Sequence, residues 1–189
     1  MFKFKNLVLS SCKEFQNLKS IVIGAMFGAI SIVLSSLAIM ITQNIRISFT
    51  FLPNEFIYYL LGPIFGSFYG AAMDVLGWII SPKGPYFPGF TMSGIVTALI
   101  YGFILYKKPI RIGNVILANL IRSLIVDMVL NTYWLSMLYG DAFVALFLLR
   151  ITKILIMLPI ETILLYVVIK AIEQSGVLNM LHKNKLIMK

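Results

Sequence analysis

Two acidic residues stand in apolar surroundings beside groups that could shape a ligand site. Asp74 lies in Gly66-x3-Gly70-x3-Asp74-x2-Gly77, just before the loop Ser81-Pro-Lys-Gly-Pro-Tyr-Phe-Pro-Gly-Phe-Thr-Met-Ser-Gly94. A carboxylate inside a membrane span costs about 3 kcal/mol, so it is usually there for a purpose. Its two oxygens can accept paired N–H donors from a flat heterocycle; the plainer reading is a hydrogen bond from a neighbouring helix. Asp127 sits in the stripe Ser123, Asp127, Asn131, Trp134, which a regular α-helix places on one face. Arg150, Lys153, Met157 and Glu161 form a second such stripe. Either Asp127 and Arg150 form a structural ion pair, or the two stripes border a polar pocket in which surplus cations await an anionic ligand. Asn131 offers a donor and an acceptor to a ring. Trp78, Trp134, Tyr86, Phe87 and Phe90 can stack on it or serve as an interface belt.

The surroundings decide what chemistry is open to these groups. The 189 residues are 60% hydrophobic and 12% charged, with a mean hydropathy of +0.94. A soluble domain of this size carries about twice that charge. We expect an all-α integral membrane protein, a six-transmembrane-helix bundle. The expected spans are Ile21–Ile41, the short Pro53–Leu61, then Pro63–Ile80, Phe90–Tyr106, Gly113–Leu138 and Ala142–Ile172, with a break at Gly62-Pro63 and a turn at Tyr139-Gly140-Asp141. Thr42–Leu52 alternates like a strand within an outward loop.

With six spans, Lys3, Lys5, Lys13, Lys19, Lys107, Lys108, Arg111, Lys170, Lys183, Lys185 and Lys189 fall on one side. These are eleven of the sixteen Lys and Arg residues. Positive-inside bias then places both termini in the cytoplasm and turns loops 42–52, 81–89 and 139–141 outward. It also accounts for the net charge of +9 without nucleic acid. The expected organisation is a cytoplasmic amphipathic segment (1–18), a membrane domain (19–172) and a basic cytoplasmic tail (173–189).

Catalysis finds little support. The lone histidine, His182, lies in the basic tail, so no histidine inside the membrane can activate Ser93 or build a metal site. No Gly-x4-Gly-Lys-[Ser/Thr] loop is present to cradle a nucleotide. Cys12 is the only cysteine, which excludes an intrachain disulfide. The apolar run before it is too short for a lipoprotein signal. No enzyme activity, metal or cofactor is expected. On the first span, Ser20-x3-Gly24-x3-Gly28 and Ala25-x3-Ala29 form a small-residue face, suited to packing within the bundle or to docking on a partner membrane protein.

Ala25-x3-Ala29, Leu60-Leu-Gly-Pro-Ile-Phe-Gly66, Gly70-x3-Asp74-x2-Gly77 and Phe87-Pro-Gly-Phe-Thr-Met-Ser-Gly94 together resemble the substrate-binding S components of energy-coupling factor (ECF) vitamin transporters, the folate-specific group above all. The resemblance runs from about residue 20 to 172. It implies a six-helix bundle in a bacterial cell membrane that captures a vitamin at the outer face. It also implies a partner module of one coupling membrane protein and two ATPases, docked on the helix carrying Gly24, Ala25, Gly28 and Ala29, with loops 42–52 and 81–89 as lids. The expected substrate-binding residues are Arg46, Asp74, Trp78, Lys83, Phe87, Phe90, Asp127, Asn131, Trp134 and Arg150. Asp74, Asp127 or Asn131 would read a pterin, and Arg46, Lys83 or Arg150 would meet a glutamate tail. The alternatives are an S component for thiamine or riboflavin, or a membrane scaffold of MreD-like type.

Overall fold

The computed structural model describes residues 2–37, 39–40, 46–82, 84–140 and 143–175. Apart from a two-stranded ribbon, its regular structure is helical. The order is α1 (Phe2–Lys13), a 3-10 turn (Glu14–Gln16), α2 (Leu18–Ser36), β1 (Ile39–Met40), β2 (Arg46–Ile47), α3 (Phe51–Ile80), α4 (Pro88–Leu105), α5 (Ile112–Arg122), a π-helical stretch (Ser123–Leu130), α6 (Asn131–Tyr139) and α7 (Phe143–Gln174). Among the described residues, five helices are long and apolar enough to cross a membrane: Leu18–Ser36, Phe51–Ile80, Pro88–Leu105, Ile112–Leu138 and Arg150–Gln174.

One of these five is a hairpin rather than a rod. Gly62 has φ 86° and ψ −175°, outside any helix. Pro63 follows it, with no N–H to continue the ladder. In a straight helix Asn54 and Tyr69 would stand about 22 Å apart. Instead the Tyr69 hydroxyl donates to Asn54 Oδ1 at 3.0 Å, and the Tyr58 and Tyr69 rings meet edge to face at 6.1 Å. The halves on either side of the expected Gly62-Pro63 break therefore lie antiparallel.

The break is held by the chain's first helix. The buried Ser11 Oγ donates to the Leu61 carbonyl at 2.8 Å and accepts from the Ile64 and Phe65 amides, each at 3.0 Å. It satisfies backbone groups that the interrupted helix leaves open. Phe15 packs on Phe65 and Phe68, and Glu14 accepts from Ser20 at 2.5 Å. The Asn17 side chain caps α2 by accepting from the Lys19 amide at 3.1 Å.

The hydrophobic core sits at this Gly62 end, where Ile57, Leu61, Tyr101, Leu105, Val115, Leu165 and Ile169 are almost wholly enclosed. Tyr101 donates to Asn119, which donates in turn to Thr162 at 2.7 Å, so one buried polar chain ties α4, α5 and α7 together. The outward faces remain apolar: Val22, Met26, Val33, Leu148 and Leu155 are exposed, as lipid-facing residues should be.

Three expectations need correction. The first span ends at Ser36 rather than Ile41, because Ile39–Met40 leave the helix to pair antiparallel with Arg46–Ile47. Among the described residues, the strand-like alternation of 42–52 is realised at its Arg46–Ile47 step, and Phe51 already begins α3; residues 41–45 lie outside the described residues. The fifth helix is also not uniformly α, because Ser123–Leu130 is wound as a π-helix. The stripe nonetheless keeps Asp127 beside Asn131, which donates to it, because four residues make close to one turn in either winding.

Replacing Ser11 with Ala should cost about 1–3 kcal/mol, the penalty for stranding buried backbone donors. Thermal unfolding in detergent reads this directly; an unchanged midpoint would mean that Ser11 is not needed to hold the break.

Candidate ligand cavity

The second half of α3 and α4 run antiparallel along a line of small residues. A Cβ on Gly102 would stand 2.5 Å from the Pro63 backbone, one on Gly66 3.4 Å from Ala98 Cβ, and one on Gly70 3.0 Å from the Gly94 carbonyl. The glycines thus let the two backbones touch. Continued outward, the same register brings Asp74 to Thr91 and Trp78 to Tyr86. Thr91 Oγ1 donates to Asp74 Oδ2 at 2.6 Å, and Tyr86 shares a 2.8 Å hydrogen bond with Thr91. The Trp78 indole donates to the Gly84 carbonyl at 2.9 Å and lies 5.4 Å from the Tyr86 ring. The loop after α3 is thereby fastened to the helix it follows.

Beside this seam opens a cavity of about 600 Å³. Trp78, Tyr86, Phe87 and Phe90 line it near the loop 84–87, and Asp74, Met73 and Thr97 line its wall. Ser31 and Ser35 of α2, Asn54, Glu55 and Tyr58 of α3, and Arg122, Arg150 and Lys153 of α5 and α7 complete it. Counting about 1.5 Å per residue, Arg122 lies roughly 15 Å from the start of α5 and Asp74 roughly 16 Å past Pro63, so both stand about midway along their helices. The cavity is aromatic beside the loop 84–87 and charged along its other walls.

Electrostatics order the charged walls. Arg122 pairs with Asp127 at 3.3 Å and hydrogen-bonds Glu161, joining the π-helical stretch to α7. Asn131 Nδ2 donates to Asp127 Oδ1 at 3.3 Å. Arg150 Nη1 donates to the Asp127 backbone carbonyl at 3.0 Å. The expected Asp127–Arg150 ion pair is therefore replaced: the carboxylate belongs to Arg122, and Arg150 holds only main chain. The expected cation surplus does not survive either. Arg122, Arg150 and Lys153 are matched by Asp74, Glu55, Asp127 and Glu161. What remains is a local imbalance, because the two acids bound to Arg122 leave Arg150 and Lys153 as cations facing the cavity.

Of the residues expected to bind substrate, Asp74, Trp78, Phe87, Phe90 and Arg150 line this one cavity. Asp127 borders a separate small pocket with Arg122, Lys153 and Glu161. Asn131 is tied to Asp127. Trp134 stands behind the wall, donating to Ser93 Oγ at 3.2 Å and packing 5.7 Å from Phe87, where Gly89 leaves room for it. Asp127, Asn131 and Trp134 are engaged by Arg122, by one another and by Ser93 rather than by the cavity. Arg46 contributes the backbone of β2, and Lys83 lies outside the described residues. On α2, Gly24 and Gly28 face inward against Phe65, Tyr69 and Met73, whereas Ala25 and Ala29 are exposed.

Glu55 and Tyr58 carry no sequence signal of their own. An acid two residues after Pro53 reads as an ordinary first-turn charge, and only the hairpin at Gly62 carries it into the bundle. Arg122 and Lys153 are detectable as cations within spans.

Residues 19–169 match the family described as ECF transporter, substrate-specific component. The chain belongs to this family. It is a multi-pass membrane transport component rather than an enzyme, and the scaffold alternative falls away. Two curated relatives are each named folate transporter FolT. That of Clostridium novyi (strain NT) is 41% identical over 142 residues, spanning 75% of this chain and 83% of the relative. That of Leuconostoc mesenteroides subsp. mesenteroides is 34% identical over 149 residues, spanning 76% and 80%. A solved structure, the crystal structure of FolT bound with folic acid, superposes with a TM-score of 0.73 at 36% identity, over 79% of this chain and 91% of that one.

Replacing Arg122 with Met would leave Glu161 and Asp127 as uncompensated charges and should cost about 3–5 kcal/mol. Adding Glu161→Leu should recover part of that loss. Thermal unfolding of the two variants compares them; a double variant no more stable than the single one would contradict the pairing.

Proposed function

We propose that this protein is the folate-capturing S component of an ECF-type importer in a bacterial cell membrane. It takes folate from the outer face and delivers it with a coupling membrane protein and two ATPases. The observation that carries this reading is the folic-acid-bound relative, matched over 79% of this chain and 91% of that one. The cavity agrees with it: about 600 Å³ lies within the range of pockets that enclose drug-sized ligands.

In this reading the α3 hairpin counts as two crossings, giving six, with both termini in the cytoplasm as the Lys and Arg distribution favours. Residues 1–18 then lie along the cytoplasmic surface, 19–172 form the membrane domain and 173–189 a basic tail. Trp78, Phe87 and Phe90 stack on the ligand's rings near the mouth. Asp74, whose Oδ2 is engaged by Thr91, accepts a ligand N–H on its other oxygen. Arg150, with Arg46 and Lys83 from the loops, attracts the glutamate carboxylates. Asp127, Asn131 and Trp134 act from behind, by holding Arg122 and Phe87 in place. Ala25 and Ala29 form the part of the small-residue face open to the coupling protein, while Gly24 and Gly28 serve its packing against α3.

Calorimetric titration of the purified protein without ATPases should give one-to-one, submicromolar binding of folic acid, and none of thiamine or riboflavin. Binding of either control in place of folic acid would change the vitamin, and no binding by folded protein would overturn the reading. Asp74→Asn and Arg150→Ala should each weaken folic acid about tenfold or more, the scale of one charge-assisted hydrogen bond. A variant that binds as tightly as the parent removes its residue from the site.

A further inference from the structure

The break at Gly62 is gripped from two sides by residues that do not line the ligand cavity. A Cβ on Gly62 would stand 2.9 Å from Ser11 Oγ on one side and 2.8 Å from the Tyr106 ring on the other. Ser11 supplies, from α1, the cap for the second half of α3, because its hydroxyl takes the Ile64 and Phe65 amides. Phe15 fastens the same corner by packing 4.9 Å from the Phe65 ring. This first helix is not among those long and apolar enough to cross a membrane, and Lys5, Leu9, Cys12 and Lys13 leave its outer face exposed. It can therefore leave the break without carrying a span with it. Residues 1–18 also lie outside the family-matched region, so this grip is an addition to the shared bundle.

Both halves of α3 wall the cavity. Asn54, Glu55 and Tyr58 come from the first half, and Met73, Asp74 and Trp78 from the second. The angle at Gly62 thus sets how far apart these two walls stand, as a hinge does. The closed grip carries costs of its own. The Tyr106 hydroxyl is buried without a hydrogen-bond partner, and Lys107 beside it is held at φ 55°, in the left-handed region. Opening would admit water to the hydroxyl and let Lys107 relax, which returns part of what the lost Ser11 bonds supplied.

We propose that α1 is a latch that controls how long the ligand is held. With Ser11 seated on the break, the two halves of α3 stay closed on the ligand. With α1 lifted, the hinge loosens, the first half swings from the second and the ligand leaves. The latch stands about 26 Å along the second half of α3 from Ile80 and the loop that follows it. An event on the α1 side can thus discharge the cavity without touching its aromatic end. For its ligand the proposal rests on the folate reading above. Coupling of this kind is reciprocal: if lifting α1 weakens the ligand, the ligand holds α1 down by the same factor.

Two measurements on the full-length protein test the latch: amide hydrogen exchange at Ile64 and Phe65, with and without folic acid, and the rate at which bound folic acid dissociates. Saturating folic acid should slow exchange of both amides about tenfold, the scale of ordinary coupling between sites. Ser11→Ala should release folic acid faster by about the same factor. Thr162→Val is the control: it removes the buried Asn119–Thr162 hydrogen bond between α5 and α7 and should lower the unfolding midpoint without speeding release. Amides that exchange alike with and without folic acid would overturn the latch. So would a Ser11→Ala release rate equal to that of wild type, or one matched by Thr162→Val. The exchange comparison needs no variant and decides the matter if Ser11→Ala does not fold. Wild type that ignores folic acid but binds thiamine or riboflavin would sink the folate reading instead, and the same exchange comparison with that vitamin then decides the latch.

Discussion

The close antiparallel approach of α3 and α4 is the constraint on which the cavity depends. Pro63 meets Gly102, Gly66 meets the Ala98 methyl and Gly70 meets Gly94, so only small groups separate the backbones. Once that register is set, Asp74 can only face Thr91 and Trp78 can only face Tyr86. A larger residue at Gly70 would push on the Gly94 carbonyl and on the Tyr58 hydroxyl together. The seam thus couples helix packing to the placement of the Asp74 carboxylate on the cavity wall. The cavity lies beside the seam because the other helices, carrying tyrosines, arginines and a lysine, cannot approach as closely.

A second dependence runs through the break at Gly62. Without it, Glu55 would lie on a rod of 30 residues far from Arg122. With it, the first half of α3 turns back along the second, and its acid reaches the cavity that Arg122 also lines. Ser11 stabilises the break from outside the family-matched region, so α1 supports the cavity although it touches none of it. A broken helix is tolerated in a membrane only when its freed backbone groups find partners, and here a single hydroxyl serves three of them.

Much of this was readable from residue order. The Gly66-x3-Gly70 stripe announced a close helix contact, Gly62-Pro63 announced the break, and the Phe-Pro-Gly-Phe-Thr-Met-Ser-Gly run announced a shaped loop running into a helix. These signals are local: glycine, proline and apolar periodicity act on the backbone wherever the chain goes. The stripe Ser123, Asp127, Asn131, Trp134 holds at Asp127 and Asn131, but its spacing did not say that it would meet Arg122 and Ser93 rather than the cavity. The Asp127–Arg150 pairing misled for a related reason, since sequence spacing does not say which of three neighbouring cations wins a carboxylate.

Sequence alone determined that the protein is a helical membrane protein without catalytic machinery, that it carries a polar centre, and that it resembles a vitamin-binding transport component. Composition, hydropathy and small-residue spacing suffice for that, because the bilayer admits few other solutions to an apolar chain. Only the tertiary structure decided which polar groups share the cavity. Glu55 joined Asp74, Arg122, Arg150 and Lys153 there, while Asp127, Asn131 and Trp134 were turned to supporting contacts. That outcome depends on a reversal at one glycine and on which cation claims the Asp127 carboxylate. Both are settled by long-range packing, which no window of sequence contains.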